Sequence, residues 1–185
     1  MAADVSSQRA GVARVVLTGS ECTGKTTLAR RLAGHYGTVV SREFARGYAI
    51  ARSNALTAQD VEPIARGQVA AEDEAMAAAM RAGRRVVFLD TDLVSTVVYA
   101  EHYYGECPAW IREAAVQRAG DLYLLMDIDV PWVPDAARDR GDRRPEMHAL
   151  FQARLAALKL PVVEISGEWE ARFAAGVRAV DGLIQ

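Results

Sequence analysis

The run Gly19-Ser20-Glu21-Cys22-Thr23-Gly24-Lys25-Thr26 puts a lysine and a hydroxyl directly behind two glycines with four residues between them. Glycines let a backbone wrap a polyphosphate and aim several N–H groups at it, and the lysine at this spacing reaches the β- and γ-phosphates. The Thr26 hydroxyl is placed to coordinate Mg²⁺, and a helix starting there adds the positive end of its dipole. Gly19, Glu21, Cys22, Thr23, Gly24, Lys25, Thr26 and Thr27 are therefore the expected contacts to a nucleotide such as ATP. Cys22 is read as a small residue that fits the loop, because its only basic neighbour in the sequence, Lys25, is needed by the phosphates.

Further chemistry-bearing residues lie downstream. Arg84-Arg85-Val86-Val87-Phe88-Leu89-Asp90 reads as a buried strand ending in an acid, and Thr91-Asp92 follows. Asp90 is the expected metal-shell ligand, and Asp92 a candidate to orient and deprotonate an attacking hydroxyl. Asp92 also suits the N-cap of the next helix. Arg42-Glu43-Phe44-Ala45-Arg46-Gly47-Tyr48 follows a short strand. Glu43, Arg46 and Tyr48 thus fall at the carboxyl edge of a sheet, where open α/β folds bind ligands. Tyr99, Tyr103 and Tyr104 come late in an apolar helix. Trp132 follows a strand end on a proline-rich stretch and is a candidate to stack on a flat, cationic ring, or to plug the sheet edge. Arg138, Arg140, Arg143 and Arg144 surround Gly141. Guanidinium forks in that density suit a lid over a triphosphate, with Arg138 and Arg143 offsetting charge in transfer.

These residues need elements to hold them. Ala13–Thr18 is a short apolar run suited to a buried parallel strand, and a helix follows the glycine loop. Thr57 and Asp60 open a long alanine-rich helix as a capping box, and Gly83 ends it. On this helix Glu72, Asp73 and Glu74 read as a solvated face. Helices over Leu93–Tyr104, Pro108–Ala119, Glu146–Leu158 and Glu168–Ile184, with strands over Asp121–Asp127 and Pro161–Ser166, complete the alternation. The order predicts an α/β fold: a three-layer α/β/α sandwich around a mainly parallel five-stranded sheet, with an Arg-rich lid. Residues 1–12 are expected to be a flexible tail, residues 13–185 a single domain, and the lid about residues 133–146.

Composition narrows the classes. A net charge of −2 over 185 residues gives no global pull toward nucleic acid or anionic membrane. No apolar run approaches the roughly 20 residues that span a bilayer. The two cysteines, Cys22 and Cys107, make no disulfide framework and fit a reduced cytoplasm. No [NT]-K-x-D motif follows the fourth strand, which disfavours guanine-specific GTPases. Asp90 has no neighbouring Glu of the kind motor ATPases use to polarise water, and the chain is short for a AAA+ motor with a helical lid domain. An Arg-rich lid between the fourth and fifth strands is the device of small-molecule kinases.

Taken together, Gly19–Thr27, Arg42–Tyr48, Phe88–Thr96 and Pro131-Trp132-Val133-Pro134-Asp135 resemble the nicotinamide riboside kinase domain of the NadR type. The resemblance implies ATP-dependent phosphorylation of the 5′-hydroxyl of nicotinamide riboside, giving nicotinamide mononucleotide for NAD synthesis. It implies Mg·ATP along residues 19–27 and a 5′-hydroxyl oriented by Asp92 or Glu43. It also implies a pyridinium ring held by Trp132 with Tyr48 or Tyr99, in an acceptor site that includes Arg46 and Asp135. NadR-type proteins often carry helix-turn-helix and adenylyltransferase domains before the kinase. The chain shows no H-x-G-H nucleotidyltransferase motif, so neither regulation nor adenylylation is expected. Two alternatives stay open: a kinase for another nucleoside or metabolite, and a regulatory P-loop ATPase without a small-molecule acceptor.

Overall fold

The computed structural model describes residues 11–132 and 143–185. Residues 1–10 of the expected tail, most of the expected lid, and with them Asp135, Arg138 and Arg140 lie outside the described residues.

Five strands form one sheet: β1 (Ala13–Thr18), β2 (Val40–Ser41), β3 (Val86–Asp90), β4 (Leu122–Met126) and β5 (Val162–Ile165). Their spatial order is β2-β3-β1-β4-β5, and every neighbouring pair is parallel. Parallel pairing needs a crossover between strands, and the helices supply it. They are α1 (Lys25–Tyr36), α2 (Phe44–Ala51), α3 (Val61–Arg81), α4 (Leu93–Tyr104), α5 (Ala109–Gln117), α6 (Arg144–Ala157) and α7 (Trp169–Ile184).

The central strands β3, β1 and β4 are buried along almost their whole length because both their faces are covered, whereas the edge strands β2 and β5 are only partly buried. In β1, Val15 and Leu17 point into a core with Leu28 and Leu32 of α1 and Val180 of α7. Val16 points the other way, into a core with Val94 and Val97 of α4, Ile111 of α5 and Phe151 of α6. The same alternation splits Phe88 from Val87 and Leu89, and Leu124 from Tyr123 and Leu125. The three-layer sandwich is thus the fold, with the sequence boundaries of β1 and α4 matching, the other expected elements shifted by a few residues, and α2 an additional helix that was not expected.

Two expectations are corrected. Val12, placed in the tail, is buried in the core. Glu72, placed on a solvated face, is only 1% exposed and pairs with Arg14 at 2.9 Å and Arg118 at 3.3 Å. Helical periodicity explains it. Gln68, Glu72, Ala75 and Ala79 recur at helix spacing along the face of α3 turned to the sheet, while Asp73 and Glu74 point outward.

Candidate active site

The site gathers at the carboxyl ends of β1 and β3, as open parallel sheets require. In the loop after β1, the Lys25 Nζ donates to the carbonyls of Gly19 at 3.0 Å and Ser20 at 2.7 Å. The loop's shape depends on what it touches. Gly24 has φ +86°, and a Cβ there would lie 2.3 Å from the Trp169 ring of α7. Thr23 is buried and donates to the Ser20 carbonyl at 2.9 Å. Arg172, also on α7, is fully buried. Its guanidinium donates to the backbone carbonyls of Thr23, Asp127 and Gly167 and pairs with Asp129. One side chain therefore ties the phosphate loop to the ends of β4 and β5. Cys22 packs nearby, its thiol directed at the Pro131 carbonyl.

Thr26 and Asp90 come together here. The threonine hydroxyl donates to Asp90 Oδ2 at 2.6 Å. Asp90 Oδ1 is buried without a protein hydrogen-bond partner. Burial pushes the Asp90 carboxyl above its usual range, while the Thr26 hydroxyl and the charges of Lys25, Arg30 and Arg46 pull the other way. A hydroxyl, a carboxylate and an unpartnered carboxylate oxygen beside a phosphate loop are hard oxygen donors that fit Mg²⁺.

A cavity of about 770 Å³ runs from Glu21–Thr27 past Arg30, Glu43 and Arg46 to Tyr99, Tyr103 and Tyr104. Its far wall is partly apolar, with Leu56, Val61 and Ile64. Tyr99 and Tyr103 lie one helical turn apart with rings stacked at 6.1 Å. Burial raises the Tyr99 hydroxyl's pKa well above its ordinary value, and the negative charges of Glu21 and Glu43 add to the rise. The cavity thus carries Lys25 and Arg30 beside the phosphate loop, and stacked tyrosines acted on by Glu21 of that loop and by Glu43.

Several expected site residues are elsewhere. Asp92 is 3% exposed and caps α4: Oδ1 accepts from Val94 N at 3.0 Å and Ser95 N at 3.4 Å. Its Oδ2 accepts from the Tyr123 hydroxyl at 2.6 Å. With Oδ1 on two backbone N–H groups and Oδ2 on the Tyr123 hydroxyl, Asp92 is seen in the capping role. Tyr48 donates to Asp60 at 2.9 Å and lies under Arg52. Trp132 is absent from the described wall and faces Arg144 instead. Arg144, expected in the lid, is buried and donates to the Val130 and Ile128 carbonyls. Arg143 is exposed at the N-cap of α6.

Other residues escaped the sequence reading. Arg30 sits one turn beyond Thr26, so helical spacing alone would have found it. Tyr103 follows Tyr99 by the same spacing. Gln68, Val61 and Ile64 carry no local signal, because nothing near them in sequence says which face of α3 meets the cavity.

A wholly parallel five-stranded sheet with a phosphate loop after its first strand defines a P-loop nucleotide-binding domain. The chain belongs to the family described as an AAA domain, whose model matches residues 14–172. This membership stands beside the expectation against a large motor, which rested on chain length and on the residue next to Asp90. The chain is similar to the trifunctional NAD biosynthesis/regulator protein NadR of Escherichia coli K12, with 29% identity over 176 residues. It is 31% identical over 148 residues to the NadR of Salmonella typhimurium LT2. These alignments cover 91% and 76% of the chain but 42% and 35% of the relatives, so the chain spans less than half their length. Among solved structures, a NadR protein in complex with NR matches at TM-score 0.75 and 28% identity, over 94% of this chain and 50% of that one. A NadR protein in complex with NAD and AMP-PNP matches at 0.72 and 29% identity, over 93% and 49%. Thymidylate kinase from Ehrlichia chaffeensis shares the fold, at TM-score 0.65 and 12% identity.

Proposed function

We propose that the chain is an ATP-dependent kinase that phosphorylates the 5′-hydroxyl of nicotinamide riboside, producing nicotinamide mononucleotide in the cytoplasm. One observation carries the reading: a single cavity joins the phosphate loop to a wall of stacked tyrosines flanked by Glu21 and Glu43. A ribosylated pyridinium is a flat cation. Tyrosine faces attract such a ring, and nearby carboxylates add to that attraction. The NadR complexes with NR and with AMP-PNP support the same pair of ligands.

In this reading the triphosphate lies along Gly19–Thr27 with Lys25 at its β/γ oxygens. Thr26 and Asp90 would hold Mg²⁺, which neutralises developing phosphoryl charge when bound. Glu43 takes the part that Asp92 was expected to share, orienting the acceptor hydroxyl. A loose transition state needs positioning more than a strong base, so a half-buried carboxylate suffices. Arg30 and Arg46 enter the cavity between donor and acceptor and stabilise the transferring group. Arg138 and Arg143 close over the γ-phosphoryl, and Asp135 serves the acceptor side. Tyr99 and Tyr103 hold the ring, with Trp132 outside that contact.

The test is ADP release from Mg·ATP with nicotinamide riboside or a panel of ordinary nucleosides. Stimulation by the riboside alone supports the reading, and stimulation by another nucleoside replaces the acceptor. Slow hydrolysis that no acceptor stimulates favours a regulatory ATPase.

A further inference from the structure

Glu43 occupies the N-cap of α2, yet its side chain does not cap that helix. The first N–H groups of a helix have no intrahelical partner and must find one elsewhere. Here the partner comes from another helix: Gln68 of α3 accepts from the Phe44 N–H through Oε1 at 3.1 Å. The other end of the same amide, Nε2, donates to the Thr91 carbonyl at 3.2 Å. Gln68 is 2% exposed and borders the cavity. The two partners fix which end of the amide is which, since one is a donor and the other an acceptor.

Both partners sit next to site residues. Phe44 follows Glu43, and Thr91 follows Asp90. Thr91 holds φ 67°, a backbone region costly for a β-branched residue, and its own N–H donates to the Leu17 carbonyl of β1. The residue before Gln68 completes the contact. Gly67 lies inside a long helix, where glycine is a poor choice. A Cβ at Gly67 would lie 2.2 Å from the Phe44 ring, so the ring fills the space a side chain would take.

We propose that Gln68 is a positioning residue for phosphoryl transfer. Its amide caps α2 from outside and ties it to the end of β3. Glu43 and Arg46 on one side, and the Thr26–Asp90 pair on the other, are thereby held in fixed relation across the cavity. The Phe44 ring on Gly67 is the second half of the same latch. Capping by Gln68 also leaves the Glu43 carboxylate out of the helix's own capping, so that it borders the cavity. Glutamine is the side chain the position calls for. Leucine would keep the volume and lose both bonds. Glutamate would set a carboxylate against the Thr91 carbonyl and beside Glu72, whose Oε1 is 3.5 Å from Gln68 Nε2. The transfer reaction in this proposal rests on the kinase reading above, whereas the latch itself does not.

The test compares Gln68→Leu and Gly67→Ala with the unaltered chain by steady-state kinetics and by amide hydrogen exchange. The latch predicts that kcat/KM for nicotinamide riboside falls at least about tenfold in either variant while KM for ATP changes less than about twofold. It predicts faster exchange by about tenfold or more at the first turn of α2, with α3 still protected. A kcat/KM for the riboside within about twofold of the unaltered chain overturns the positioning role, as does a KM for ATP that rises in step with that for the riboside. If the unaltered chain is not stimulated by the riboside, the kinase reading fails and exchange alone decides the latch: unchanged protection of α2 overturns it. If Gln68→Leu does not fold, Gly67→Ala carries the same two readouts.

Discussion

The Thr26 hydroxyl donates to Asp90 Oδ2 at 2.6 Å, joining residues 64 positions apart. The contact follows from topology. β1 and β3 are parallel neighbours with Leu17 opposite Asp90, so the loop leaving β1 curls over the end of β3. Thr26, one residue into α1, then meets the last residue of β3. Asp90→Asn keeps the shape and removes the charge. It is expected to lower kcat by about 10²-fold or more and to raise the Mg²⁺ concentration needed for half-maximal rate. A Mg²⁺ titration of the rate checks it, and an unchanged requirement would argue against metal ligation by Asp90.

Lys25→Ala is expected to lower phosphoryl transfer by about 10³-fold with the fold retained. The Nζ donates to the Gly19 and Ser20 carbonyls, and its charge also favours the buried Asp90 carboxylate, so both effects are lost together. Rates read beside a circular-dichroism melt separate lost chemistry from lost structure. A fully active variant would exclude the proposed transfer site.

Tyr99→Ala and Trp132→Ala should behave differently. Tyr99 is in the cavity wall with its ring stacked on Tyr103, whereas Trp132 faces Arg144. Loss of an aromatic face from a cation is worth about 1–2 kcal/mol, so Tyr99→Ala should raise KM for the riboside about tenfold and leave KM for ATP nearly unchanged. Trp132→Ala should change neither by more than about twofold. The reverse result would move the ring-binding surface to Trp132.

Glu72 makes stability depend on pH. Burial pushes its carboxyl from 4.5 up to about 7, with the nearby Asp92 charge adding and Arg14 and Arg118 opposing. The folded chain therefore holds a proton that the unfolded chain has released. The stabilisation is fully present below pH 4.5 and is lost as pH rises through about 7. A shift of this size corresponds to a fall of at most about 3 kcal/mol. Urea unfolding at a series of pH values should show that slope, and Glu72→Gln should flatten it. A slope unchanged in Glu72→Gln would assign it to other groups.

Tyr123→Phe tests the capping role of Asp92. The Tyr123 hydroxyl donates to Asp92 Oδ2 and accepts from the Gly120 N–H at 3.1 Å. Its removal leaves a buried carboxylate short of one donor, and the expected loss of stability is about 1–3 kcal/mol. Denaturant unfolding measures it. Riboside kinetics should change by less than about twofold, because both Asp92 oxygens are engaged in the cap and by Tyr123.

The sequence alone determined the phosphate loop, the strand–loop–helix unit around it, the apolar central strands and the capping box of Thr57 with Asp60. These are local patterns. A glycine spacing, an apolar run or a cap is written within a few neighbouring residues, and local backbone preference is enough to read it. The tertiary structure alone decided which face each residue presents. It turned Glu72 inward and Asp73 outward on one helix, chose the cap among the two roles the sequence offered Asp92, and set Tyr103 beside the already expected Tyr99 in the cavity. It also brought Gln68 to Phe44 and Thr91, partners 24 and 23 positions away. Such choices depend on the rotation of one helix against a sheet and on burial that forces polar groups to find distant partners, and neither is encoded in the spacing of neighbours.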